Sequence, residues 1–295
     1  MDTRILTHGH SLHLTILRLK FNAMQPLNPR DLLIRRSPLE ADPELSADSA
    51  PPASRPVTLE RFQALEQTIR ERPLSVEPYL ELADYYFARQ RWVDARRILE
   101  IACQRFPEVE QAQFLLEEAQ LARSLQLNDR SEQAHRSEPT TLTLAALEQS
   151  QLELNVLRER VSRARLQRHP EQVQLYLPLA TALHGLGQTP AAIEALRRAM
   201  EEPRLRSAAA YQMGQVLEEA KRIPEALSAY RRAALFRVPS PPRELKFAAL
   251  TAAADLAQRW RLVDSARRYV ELLIEMSPED AALLERHREL CATPL

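Results

Sequence analysis

Three histidines near the start, His8, His10 and His13, are spaced closely enough to chelate a metal ion. No Cys or carboxylate pattern flanks them and no rigid scaffold is apparent, so the residue types argue against a metal centre. Cys103 and Cys291 are the only thiols, too few for a disulfide framework. Cys103 falls beside Ala102 on what reads as an inner helix face, with no His near it in sequence, and reads as a small buried thiol rather than a nucleophile. The chain contains no GxSxG, HExxH, P-loop or GxGxxG pattern. Its four glycines argue equally against phosphate-cradling loops and against turn-rich β architecture. What the side chains offer is recognition rather than reaction. The expectation is no enzyme, no metal and no cofactor.

The bulk composition narrows the partner. Forty basic and forty acidic residues give zero net charge, which removes any global electrostatic case for nucleic acid or an anionic membrane. Only Lys20, Lys221 and Lys246 are lysine, so the positive charge is nearly all Arg, yet no Arg cluster marks a phosphate site. No run of 18 apolar residues exists, so no membrane span is expected, and the chain reads as cytoplasmic. Few aromatics and many Leu and Ala favour helices.

Along the chain, residues 1–57 read as a disordered tail or linker. Met1 to Ala23 lacks the apolar core of a secretory signal, and Asp2 is its only acid. An organelle transit peptide, a true start at Met24 and a plain disordered tail all stay open. Arg30, Arg35 and Arg36 precede Glu40, Asp42, Glu44 and Asp48, and Pro51, Pro52 and Pro56 follow, as in a solvated linker. Residues 58–126 read as a first helix with Leu59, Phe62, Leu65 and Ile69 on one stripe, ended by Pro73, then a helical hairpin and a following helix. Residues 127–140 are polar, contain Pro139 and read as a linker. Residues 141–172 fit either a degenerate hairpin or one long helix, with Leu147, Leu154 and Val161 at heptad spacing that would permit a coiled-coil contact. Residues 173–278 hold more hairpins, and 279–295 a capping helix and tail, with Leu283, His287 and Leu290 on one side.

The hairpins show themselves by recurrence. Tyr79, Leu82-Ala83 and Tyr86 are followed by Ala95, Leu99, Ala102 and then Pro107. Tyr176, Leu179-Ala180 and Leu183 precede Ala192, Leu196, Ala199 and Pro203. Ala210, Met213-Gly214 and Leu217 precede Ala226, Tyr230, Ala233 and Pro239, and Leu250, Ala253-Ala254 and Ala257 precede Ala266, Val270, Leu273 and Pro278. Each row reads as helix, tight turn, second helix, Pro stop. Pro190 and Pro224 suit the starts of second helices, where a missing N–H costs nothing. Pro178 sits inside an expected first helix, which must start late or kink there. The extra residues between the third and fourth rows fall in Val238–Glu244 with Pro239, Pro241 and Pro242, as an insertion on a loop should.

This recurrence resembles the tetratricopeptide repeat, whose pattern is W-x2-L-G-x2-Y, then A-x3-F, then P, over about 34 residues. The resemblance implies an all-α, right-handed α-solenoid of helix-turn-helix repeats behind a disordered N-terminal tail. It covers 76–109 and 173–278 well, 138–172 weakly and 1–57 not at all. By the same resemblance, first helices line a concave groove for a protein or peptide. The positions facing it are Leu80, Asp84 and Phe87, then Leu177, Thr181 and His184, then Tyr211, Gln215 and Glu218, then Thr251, Asp255 and Gln258. Family members that clamp a C-terminal carboxylate use Lys, Arg and Asn, and the matching positions here, Leu80, Asp84, Leu177, Tyr211 and Thr251, argue against that partner. Asp84, Glu218 and Asp255 point instead to a neutral or mildly basic segment. The expected role is a non-enzymatic scaffold or adaptor. The alternative is an accessory or assembly chaperone subunit of an envelope or secretion machine.

Overall fold

The structure is a computed structural model and describes residues 59–71 and 75–292; the histidines at 8, 10 and 13, the 1–57 tail and Pro73 lie outside them. Among the described residues the chain is α-helical with two short 3-10 turns and no strand. It forms two compact units divided after Gln126.

In the first unit, α1 (Leu59–Glu71) packs on α2 (Glu77–Ala88), which pairs with α3 (Trp92–Arg105). Ala83, Ala95, Leu99 and Ala102 are fully enclosed. Such small side chains let helix axes approach to about 8–10 Å. Tyr79 fills the space beside them, its ring at 6.0 Å from Phe106, and its hydroxyl accepts from Arg105 at 2.5 Å. The first half of α4 (Glu110–Ser137) adds Ala112 and Ala119 to this core.

The division between units falls within α4, which corrects the linker expected at 127–140. The helix runs on to Ser137, and only residues 138–140 connect it to α5 (Thr141–Arg168). Residues 128–137 are polar, but Arg, Glu, Gln and Ala among them are adequate helix formers, and the first breaker is Pro139. Tertiary partners hold this stretch. The Ser150 hydroxyl donates to Asn128 Oδ1 at 3.3 Å, and His135 Nδ1 lies 3.0 Å from the Thr143 hydroxyl. Thr140 caps α5 in a reciprocal arrangement with Thr143. Of the two readings of 141–172, the single long helix is what forms. Its Leu154 and Val161 are buried inside the unit, so that heptad stripe is core.

The rest of the second unit is three hairpins and a cap. α6 (Tyr176–Gly185) pairs with α7 (Thr189–Ala199), α8 (Arg206–Glu219) with α9 (Ile223–Leu235), α10 (Arg243–Arg259) with α11 (Val263–Met276), and α12 (Ala281–Ala292) closes the end. Each helix packs on its sequence neighbours, and α6 also touches α8, and α8 touches α10. First helices therefore share one face. α6 starts late, after a 3-10 turn at Val173–Leu175, so Pro178 sits in its first turn where its missing N–H breaks no bond. Pro190 and Pro224 open α7 and α9. The insertion lies in the connection between α9 and α10.

Every hairpin closes by the same backbone turn. Gln90, Gly187, Lys221 and Arg261 take left-handed backbone angles, with φ of 57, 75, 58 and 55°. Each donates its N–H to a carbonyl three residues back, and the next residue donates five back: Arg91 to Tyr86, Gln188 to Leu183, Arg222 to Leu217, Leu262 to Ala257. This is the double closure that satisfies orphan carbonyls at a helix C-terminus. Only one of the four positions is Gly, which is why sequence reading found no turn signal at the other three.

Where α8 crosses α9 the contact is tightest. A Cβ built on Gly214 would stand 2.5 Å from the Tyr230 ring, so only Gly leaves room for that ring. Tyr230 is 2% exposed, and burial pushes its hydroxyl far above the ordinary phenol range.

Candidate functional site

The nine expected groove residues of the second unit lie on α6, α8 and α10, and the structure does bring those helices side by side. Their environments differ sharply. Tyr211 is 7% exposed, lies 5.7 Å from the Tyr230 ring, and belongs to the core rather than to a contact surface. Its hydroxyl is pushed up to about 12 by burial and by Glu218. Leu177 is half-buried against the same core. Thr181 and Thr251 turn their hydroxyls back onto their own helices, donating to the Leu177 carbonyl at 3.1 Å and the Phe247 carbonyl at 2.9 Å.

The charged members are tied across helices. His184 Nε2 on α6 lies 3.0 Å from Glu219 on α8. Glu218 on α8 takes the Tyr230 hydroxyl at 2.7 Å on one oxygen and Arg259 of α10 on the other. Asp255 on α10 pairs with Arg286 of α12 at 2.7 Å, and the same guanidinium donates to Gln258 at 3.0 Å. Both members of the Asp255–Arg286 pair are half-buried, so this tie is less screened than a surface pair. Glu218 and Asp255, two of the three acids that suggested a basic partner, are thus already matched by arginines of the chain itself. Sequence reading missed this because the partners lie 41 and 31 residues away. Beside these tied groups, the nine positions offer the uncharged Gln215 and Thr181, part of Leu177, and His184 against Glu219.

The first unit carries the other three. Leu80, Asp84 and Phe87 stand on one side of α2 at spacings of four and three, the geometry of a single helix face. Leu80 and Phe87 are half-buried against the core, and Phe87 meets Trp92 edge-on at 5.6 Å. Asp84 is exposed, and burial of its surroundings, with Glu81 nearby, pushes its carboxyl above the ordinary range. Glu81 itself is held by a two-pronged bond from Arg61 at 2.7 and 2.6 Å.

The two thiols lie off these faces. Cys103 is half-buried and its thiol is pushed up by that burial. Cys291 is exposed, 3.8 Å from His287 Nε2, and that ring lies 3.3 Å from Glu271. His287 therefore serves the α11–α12 junction, next to the buried Leu283 and Leu290. Among the described residues no group of three side chains is placed to hold a metal ion, and no helix is long and apolar enough to cross a membrane.

No protein-family model matches this chain, and no characterised relative matches it in sequence. Solved structures do resemble it. YrrB, described as a TPR protein with an unusual peptide-binding site, is 17% identical at a TM-score of 0.48, over 77% of this chain and 99% of that one. MamA is 19% identical at 0.37, over 52% and 89%. The thermophilic TPR protein TTC0263 from Thermus thermophilus is 19% identical at 0.35, over 74% and 100%. At such scores these likenesses carry no argument. The assignment of an all-α array of helical hairpins rests on the four equivalent turns and the shared first-helix face described above.

Proposed function

We propose that this chain is a non-enzymatic helical-repeat scaffold that binds a protein or peptide segment along its first helices. The observation that carries this reading is the alignment of α6, α8 and α10 on one face, with small residues spent on the helix crossings and polar residues left facing outward. Stacked hairpins of this kind gain stability from each other and leave an extended surface along their first helices. In the second unit that surface is nearly neutral, so it suits an uncharged segment recognised by amide and hydroxyl groups.

The test uses the full chain as bait in its source cell, beside variants that block the face without touching the core. Thr181→Arg and Gln215→Arg place a long cation on that face, and Ser228→Arg places one on the exposed side of α9. Partners retained by the wild type and by Ser228→Arg but lost from the other two, with helical content unchanged, support the reading. Equal capture by all four chains refutes it.

A further inference from the structure

Three acids stood on the expected groove positions, and the structure separates them. Glu218 and Asp255 are each neutralised by an arginine of a neighbouring helix. Asp84 has no ion pair and no hydrogen-bond donor among the described residues, and the arginines nearest to it in sequence are all engaged. Each of those is engaged elsewhere. Arg61 holds Glu81. Arg89 stacks on the Tyr85 ring at 3.8 Å. Arg91 pairs with Asp94 at 2.7 Å and faces the Tyr86 ring at 5.1 Å. The one uncompensated carboxylate of the set thus sits between two half-buried apolar side chains, Leu80 one turn before it and Phe87 one turn after. The edge-on Phe87–Trp92 pair places aromatic surface at the end of this face.

An exposed carboxylate without a partner of its own, set between apolar side chains, is complementary to a cation brought from outside. Apolar neighbours on both sides match an apolar residue flanking that cation. We infer that the Leu80–Asp84–Phe87 face of α2 docks a partner's peptide segment in which an Arg or Lys stands beside an aliphatic or aromatic residue. This rests on the reading of the chain as a peptide-binding scaffold and assigns its cationic specificity to the first unit, apart from the neutral face of the second. The raised position of the Asp84 carboxyl agrees with it, since an arriving cation would restore the ordinary range.

The experiment probes an array of capped 12-residue peptides with the full chain. The peptides share one Leu- and Phe-containing frame whose central residue is Arg, Lys, citrulline, Gln or Glu. The wild type should retain Arg and Lys members and discriminate against citrulline and Gln by about fivefold to tenfold, as for a charge-assisted hydrogen bond. Asp84→Asn should erase that discrimination, and Asp84→Arg should turn it toward Glu. Thr181→Arg, on the other unit, should leave it intact. Retention without charge preference, or a preference that survives Asp84→Asn, overturns this inference while leaving the scaffold reading standing. No retention of any peptide by the wild type overturns both. A gain in retention on replacing Arg35 and Arg36 by Ser would show the chain's own Leu32–Arg36 stretch on this face and overturn the assignment to a partner.

Discussion

Replacing Gly214 by Ala should destabilise the second unit, although Ala is the better helix former. The gain in helix propensity is about 1 kcal/mol. Against it stands the Tyr230 ring, two of whose carbons would lie 2.5 Å from the new Cβ. Carbon atoms settle at about 3.5–4.0 Å, so the ring must retreat by about 1 Å. Overpacking of this kind costs about 1–3 kcal/mol. The retreat also draws the Tyr230 hydroxyl away from Glu218, now 2.7 Å distant. A hydrogen bond to a charged acceptor contributes about 1.5–3 kcal/mol. Taking central values, the net loss is about 3 kcal/mol, readable by urea unfolding followed by far-ultraviolet circular dichroism. In a Tyr230→Leu background both penalties vanish and Gly214→Ala should stabilise by about 1 kcal/mol, a coupling of about 4 kcal/mol between the two positions. A neutral or stabilising Gly214→Ala in the wild type, or the same cost in both backgrounds, would refute the reasoning.

Three further outcomes are expected. Gln90→Gly, Lys221→Gly and Arg261→Gly should each stabilise by about 0.5–1 kcal/mol, because left-handed strain of about 1–2 kcal/mol is relieved at the expense of a freer unfolded chain; Gly187→Ala should lose about 1 kcal/mol in the same unfolding assay. Asp84→Asn should raise stability at neutral pH. The folded carboxyl is raised above its ordinary value of 3.8, so the stability it confers when protonated is complete below that value and is lost as pH rises through the folded value. Wild type and variant should therefore converge when unfolding is repeated near pH 3. Ala226→Glu, at a fully enclosed crossing, should cost about 3–5 kcal/mol and show as loss of cooperative melting.

Much of the hairpin framework was legible in the residues. Ala95, Ala192, Ala226 and Ala266 recur because each crossing tolerates only a small side chain, and all four are enclosed. Pro190 and Pro224 followed from the N–H groups a helix start leaves unpaired, while Pro178 allowed a late start or a kink and the structure has the late start. What escaped was set by tertiary contact. The extension of α4 to Ser137 depends on partners in α5, and no local pattern at 128–137 announces them. The turns escaped because backbone bonds close them whatever side chain stands at the strained position. The face residues were chosen by resemblance, which gives direction along a helix but not who else reaches the spot. That is why Tyr211 proved to be core, and why Glu218 and Asp255 proved to be spoken for.

The uniform closure of the four hairpins has a practical consequence. Since Gln90, Lys221 and Arg261 are exposed and hold their turns through main-chain atoms, their side chains are dispensable to the architecture. They are natural attachment points for spectroscopic labels. Two of them, Lys221 and Arg261, mark successive hairpins of the same unit, so a pair of probes there would report whether the array stretches or tightens when cargo arrives.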